Sequence, residues 1–106
     1  MVAGKIVKIR FRRYFAEQRL WVFIGKVLEF TEGWVTVEGK GLVVFKGGTE
    51  PVDVDEDTRV LMVPMGNIAH LRVLPNTFDI STIRVKSRGA RTYVEVDGGP
   101  DTSIGD

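Results

Sequence analysis

Hydrophobic and polar positions alternate cleanly at the start of the chain. From Lys5 to Arg12, Val7, Ile9 and Phe11 fall on one face while Lys8, Arg10 and Arg12 fall on the other, the pattern of a half-buried strand. Arg13 to Arg19, with Ala-Glu-Gln at its centre, reads as a loop or a single helical turn. A helix running from Tyr14 into Trp21 fits the same pattern, but Trp21-Val-Phe-Ile24 is rich in β-branched and aromatic residues and favours a strand. Leu20 to Phe30 is therefore the second strand, apolar on both faces near its start. Gly25 inside it marks a bulge, a sharp bend or a close backbone approach.

After the turn Thr31-Glu32-Gly33, Trp34 to Glu38 sets Val35 and Val37 against Trp34, Thr36 and Glu38. Gly39-Lys40-Gly41 interrupts that alternation and Leu42 to Phe45 resumes it, giving either one strongly bent strand or two short ones. Gly47 to Asp57 reads as a polar, acidic loop. Arg59 to Val63 is the next strand, ended by Pro64, which lacks the N–H that a central ladder needs. Met65-Gly66-Asn67 is a tight turn, and Ile68 to Leu74 is the last core strand before Pro75. In its register His70 alternates with Ile68 and Arg72, while Ala69, Leu71 and Val73 share the opposite face. Thr82 to Lys86 and Thr92 to Val96 pair as a weak hairpin about Arg88-Gly89, and Gly98 to Asp106 reads as a disordered tail.

These elements predict a mostly β chain, a small and strongly bent five-stranded barrel over residues 1–75. A C-terminal extension follows over 76–97, then the tail 98–106. At 106 residues with 43% apolar composition the chain forms one domain able to bury a core, yet small enough to gain from assembly. With no cysteine there is no disulfide framework or thiolate metal site, which fits a reducing compartment, and a cytoplasmic location is expected. The start, Met-Val-Ala-Gly-Lys, resembles neither a secretory leader nor a membrane span.

The net charge of +1 conceals segregation. Residues 1–26 carry seven basic groups against Glu17 alone, residues 27–57 carry eight acids against Lys40 and Lys46, residues 58–91 are again basic, and the last fifteen are acidic. Such blocks provide either oppositely signed faces that pair between subunits or a basic patch for phosphate, unless they merely cover solvated surfaces.

Little of this supports catalysis. His70 is the only histidine, so no histidine-rich metal site assembles, and it is read as a structural or interface residue. Asp53, Asp55, Glu56 and Asp57 offer hard oxygen ligands but lack the glycine and distant glutamate of an EF-hand loop. Neither Gly39-Lys40-Gly41 nor Gly47-Gly48 is followed by the Gly-Lys-Ser/Thr of a phosphate loop. No enzyme activity, metal or cofactor is expected. Aromatic groups near arginines are what single-stranded nucleic acid binding uses, so Lys8, Arg10, Arg12 and Arg13 are the candidates for phosphate, and Trp34 and Asn67 for bases. The bland alternative places the aromatics in a core or a subunit interface.

Taken in order, the long bent second strand Phe23-Ile-Gly25-Lys-Val27, the bent third strand, the variable loop, and the strand, three-residue turn and strand from Val60 to Leu71 resemble the Sm-like proteins. That group includes the Sm and LSm proteins and the bacterial RNA chaperone Hfq. An SH3-like or OB-type barrel is the rival fold. The resemblance covers roughly residues 5–74. It implies a homo-oligomeric ring of five to eight subunits closed by pairing of the last two strands, with Val60, Met62, Ile68, His70 and Leu71 at the interface, and single-stranded RNA as partner. The family's uridine pocket uses an aspartate and an asparagine after the second strand and an arginine-glycine pair before the last. Here those places hold Phe30-Thr31-Glu32-Gly33 and Met65-Gly66-Asn67, and a strand stands where the family has a helix. A protein-interaction or scaffolding module with no nucleic-acid role is the alternative.

Overall fold

The computed structural model describes residues 3–12, 21–44, 52–88, 91–96 and 100–103. Strands β1 (Ile6–Phe11), β2 (Trp21–Phe30) and β3 (Trp34–Val44) form an antiparallel meander. Gly25 lies opposite Gly39 in the β2–β3 ladder. A Cβ on Gly25 would sit 2.5 Å from the Glu38 carbonyl oxygen, and one on Gly39 would overlap the Ile24 carbonyl. Only hydrogen fits on either side, so the two backbones approach there as no other residue pair would allow. Further along, the register slips between Val27 and Glu29, and Leu28 is the extra residue of a bulge that increases the local twist.

β3 is one continuous strand serving two partners. Its first half, Trp34 to Gly39, pairs with β5 (Arg59–Pro64), and its second half, Leu42 to Val44, pairs with β4 (Val52–Val54). β4 replaces part of the expected acidic loop. Its β-branched residues alternate with Asp53, and the exit is clamped: the Asp55 carboxylate accepts the Gly41 N–H at 2.9 Å while the Asp55 N–H donates to the Gly41 carbonyl at 3.0 Å. Asp55 also pairs with Arg59 at 2.8 Å.

On the far side of the meander, β6 (Ile68–Leu74) pairs with β1, so the order across the sheet is β5, β3, β2, β1, β6, with β4 continuing beside β3. One turn of 3-10 helix, Met65–Asn67, joins the two outermost strands. The Met65 N–H donates to the Gly33 carbonyl, just past the end of β2, while the Asn67 carbonyl accepts the Arg12 N–H, beside the start of β2. In a flat sheet those points lie about 30 Å apart along a ten-residue strand. A three-residue turn that touches both requires the sheet to curl sharply. Among the described residues β5 and β6 share no ladder, so the observed architecture is an open, curled antiparallel sheet of six strands.

The inside of the curl is filled from five strands: Val7, Ile9, Phe23, Val27, Val35 and Val37 are buried there, with Phe11, Leu61, Ile68 and Leu71 packed against them. The outer face is also covered. Ile6, Val22, Ile24, Leu42 and Leu74 bury against Phe78, Val94 and Val96. The last three belong to the C-terminal region, which forms a second sheet of β7 (Val85–Arg88), β8 (Arg91–Val94) and β9 (Thr102–Ser103). The two segments expected as a weak hairpin do pair, with Val85 opposite Val94, and Val94 and Val96 are part of the core. Residues 102–103, expected in a tail, pair with β8, and Thr102 is buried. Lys86 to Asp101 at 2.7 Å and Arg84 to Glu95 at 3.4 Å tie the small sheet together. The segment 13–20, the first part of the loop at 45–51 and the ends of the tail lie outside the described residues.

Gly25→Ala should cost about 3 kcal/mol or more, since both backbones at the clash are fixed by the ladder. Gly33→Ala, with nothing near its Cβ position, should change stability by less than about 1 kcal/mol. Urea denaturation of the two variants checks this; equal midpoints would contradict the close approach.

Candidate nucleic-acid interface and free strand edges

β1 sets Lys8, Arg10 and Arg12 on the face opposite Val7 and Ile9, as the alternation predicts. The C-terminal sheet lies over the same face, and its cover changes what the three cations do. Lys8 is only 2% exposed, Arg10 is half-buried and Arg12 is exposed. Lys8 is therefore not the solvent-facing phosphate contact expected from the sequence, because burial beneath a second sheet removes it from reach. Arg10 has a buried Nε with no hydrogen-bond partner among the described residues, a situation that costs about 1–3 kcal/mol when no water or ligand supplies one. Arg13 lies outside the described residues.

The Met65–Asn67 turn gathers the rest of the predicted contacts. Besides its backbone bond to Asn67, Arg12 donates from Nε to the Ile68 carbonyl at 3.3 Å, which fixes the guanidinium beside the turn. On the other side of the turn the Thr31–Gly33 loop is closed by Thr31: its N–H donates to the Trp34 carbonyl at 2.9 Å, and its hydroxyl oxygen accepts the Trp34 N–H at 3.1 Å. Trp34, opposite Pro64, is thereby held at the start of β3 with 44% of its surface exposed. Arg12, Asn67 and Trp34 thus flank one corner of the sheet. A guanidinium with donors to spare, an amide and an aromatic face are the groups that hold a phosphate, read a base edge and stack a base.

The residues expected at a subunit interface divide into two sets. Val60 and Met62 point away from the core on β5, opposite Glu38 and Thr36, and are 54% and 63% exposed. Ile68 and Leu71 turn inward and pack in the core of the curl. Ile68 was expected to share a face with His70 and Arg72. Instead the β1–β6 register shifts so that Phe11 faces Ile68 while Arg10 faces His70, leaving Ala69 as the extra residue of a bulge. That slip sends Ile68 into the core and leaves His70 exposed on the outer face.

Two groups escape a reading of the sequence in single strands. Trp21 stacks on Phe11, ring centres 4.5 Å apart, and stays 40% exposed. Arg72 lies opposite Lys8 and donates to the Pro100 carbonyl at 3.2 Å. The first signal, an aromatic at a strand start, acquires meaning once β2 is paired with β1, and the second, a basic residue on β6, once β6 is placed beside β1.

A cavity of about 250 Å³ beside the second sheet is lined by Thr77, Phe78, Asp79, Thr82, Arg84 and Glu95. Among the described residues no three His, Cys, Asp or Glu converge as metal ligands. No helix among them is long and apolar enough to cross a membrane. The Ser81 hydroxyl and the Ser81 N–H both donate to Asp79 and hold its carboxyl below the usual carboxylate range. A lowered folded-state value stabilises the fold above the unfolded value and is lost as pH falls through the folded one. Stability should therefore decline as pH drops below about 4, and Asp79→Asn should make that decline shallower. Thermal midpoints across an acid series measure it; identical slopes would remove Asp79 from the balance.

No family model, curated protein or solved structure matches this chain, so the function must be read from its own residues.

Proposed function

We propose that this chain is a non-catalytic, self-assembling β module of the Sm-like kind, its curled sheet serving as a small five-stranded barrel made of β1, β2, β3, β5 and β6. Copies join edge to edge into a ring of five to eight, and the ring binds single-stranded RNA at the corner flanked by Arg12, Asn67 and Trp34. The observation that carries assembly is the state of the two outermost strands. Among the described residues β5 pairs only with β3 and β6 only with β1, and β5 presents Val60 and Met62 outward. An unpaired edge bearing exposed apolar groups templates another strand. Because β5 and β6 are different surfaces, their pairing is head-to-tail and ends in a ring when the rotation closes.

RNA binding draws support from the corner, where each stacked base contributes about 1–3 kcal/mol and Arg12 supplies a phosphate partner. The scaffolding alternative is favoured by the net charge of +1 and by the burial of Lys8, both unlike a dedicated nucleic-acid binder.

Native mass spectrometry of protein purified without nuclease separates these readings. A ring with added mass that ribonuclease removes supports RNA binding, a bare ring assigns the chain to scaffolding, and an 11.9 kDa monomer defeats assembly. Met62→Glu with Val60→Glu should convert the ring to monomer while far-UV circular dichroism stays unchanged, since both side chains point to solvent within one copy.

A further inference from the structure

The two outermost strands differ in charge. On the β6 side the outer face carries His70, exposed, and Arg72, half-buried, with Arg10 opposite His70 on β1, and neither strand contains an acid. On the β5 side it carries exposed Glu38 on β3, while Glu56 and Asp57, also exposed, lead into the strand. Arg59 at the start of β5 is paired with Asp55, and Lys26 stands opposite Glu38 on β2, on the side away from the edge. Among the described residues neither Glu38 nor Arg72 forms an ion pair within the copy, and Arg72 uses one of its five donors on the Pro100 carbonyl.

A strand added to β5 continues the sheet, so its outer-face residues stand beside Val60 and Met62. Glu38 lies opposite Val60 on the other side, two strand spacings or about 10 Å from the added strand. An arginine stem laid over Val60 covers apolar surface and brings its guanidinium to that carboxylate. A long basic side chain is therefore what the exposed apolar edge and the acid behind it jointly fit, and this chain has one on its opposite edge. An antiparallel ladder that sets Arg72 beside Val60 sets His70 beside Met62. The unlike edges also disfavour two-fold pairing. Two β6 edges placed together would oppose His70 and Arg72 to their own copies, and like charges across a ladder destabilise it; two β5 edges would leave both Glu38 carboxylates without the arginine.

We propose that β6 of one copy docks on β5 of the next with Arg72 lying over Val60 and reaching Glu38, and that this ion pair selects the head-to-tail ring over a two-fold dimer. The inference rests on the assembly reading above and supplies the contact that gives each junction its polarity. It involves no nucleic acid.

The test is native mass spectrometry across a concentration series of the full chain and of Glu38→Arg and Arg72→Glu, alone and mixed, with circular dichroism to establish that each variant folds. Each variant alone sets like charges at every junction and should raise the concentration for half-assembly by about tenfold or more. When the two alternate around a ring, opposite charges meet at every junction. An equimolar mixture should therefore rebuild rings, all with an even number of subunits. If Arg72→Glu fails to fold after losing its Pro100 bond, Glu38→Arg, at an exposed position, still reads the junction on its own. Assembly of folded Glu38→Arg at the wild-type concentration overturns the ion pair and leaves pairing through β5 and β6 intact. A wild type that is monomeric at every concentration overturns assembly and the ion pair with it. A wild-type dimer that adds no further copies, or a loss in two folded variants that mixing does not repair, overturns the proposed polarity.

Discussion

The close passage of β2 over β3 at Gly25 and Gly39 is the contact on which the rest of the architecture depends. With side chains at either position the Glu38 and Ile24 carbonyls would be pushed away and the sheet would flatten. With hydrogens there, two long strands bend together, and β3 changes partner from β5 to β4 along its length. Bending then lets the three-residue turn after β5 reach both the Gly33 carbonyl and the Arg12 N–H. Two missing methyl groups thus decide where Arg12, Asn67 and Trp34 stand relative to one another.

A curled sheet normally has one buried face and one wet face, whereas this one is apolar on both. Ile6 and Val7 are neighbours in sequence, point in opposite directions and are both buried. Strands covered on both sides require two partners, the interior of the curl and the C-terminal sheet. Covering the outer face also sorts the basic residues of β1 by depth, from buried Lys8 through half-buried Arg10 to exposed Arg12. Electrostatics on this face is therefore a product of packing, and a count of charges along the chain does not reveal it.

The five long strands were legible because each has its own alternation or β-branched run, and the glycine inside β2 correctly marked a site of close approach. β4 was not, because Asp53 and Asp55 made a short strand look like an acidic loop, although Asp55 is the residue that clamps it to Gly41. The site was legible only in pieces. Alternation on β1 gave the face of its cations but not their depth, which depends on where residues 78–96 pack. On β6 a single bulged residue, Ala69, defeated the reading of which side chains share a face, because a slip of one reverses the side of every residue before it. The pairing of Arg72 with Lys8 and of His70 with Arg10 joins positions some sixty residues apart, and no local pattern encodes it.

The cover on the outer face also has a consequence for biosynthesis. β1 meets its β6 partner only after residue 74 has been made, and Ile6, Val22, Ile24 and Leu42 stay uncovered until Val94 and Val96 arrive. During translation at about 5–20 residues per second, the first half of the chain therefore spends seconds as an incomplete sheet with an oily outer surface and open edges. The ribosome-bound chain is more adhesive than the finished protein, and its dependence on chaperones is concentrated in the interval before the second sheet closes over the first.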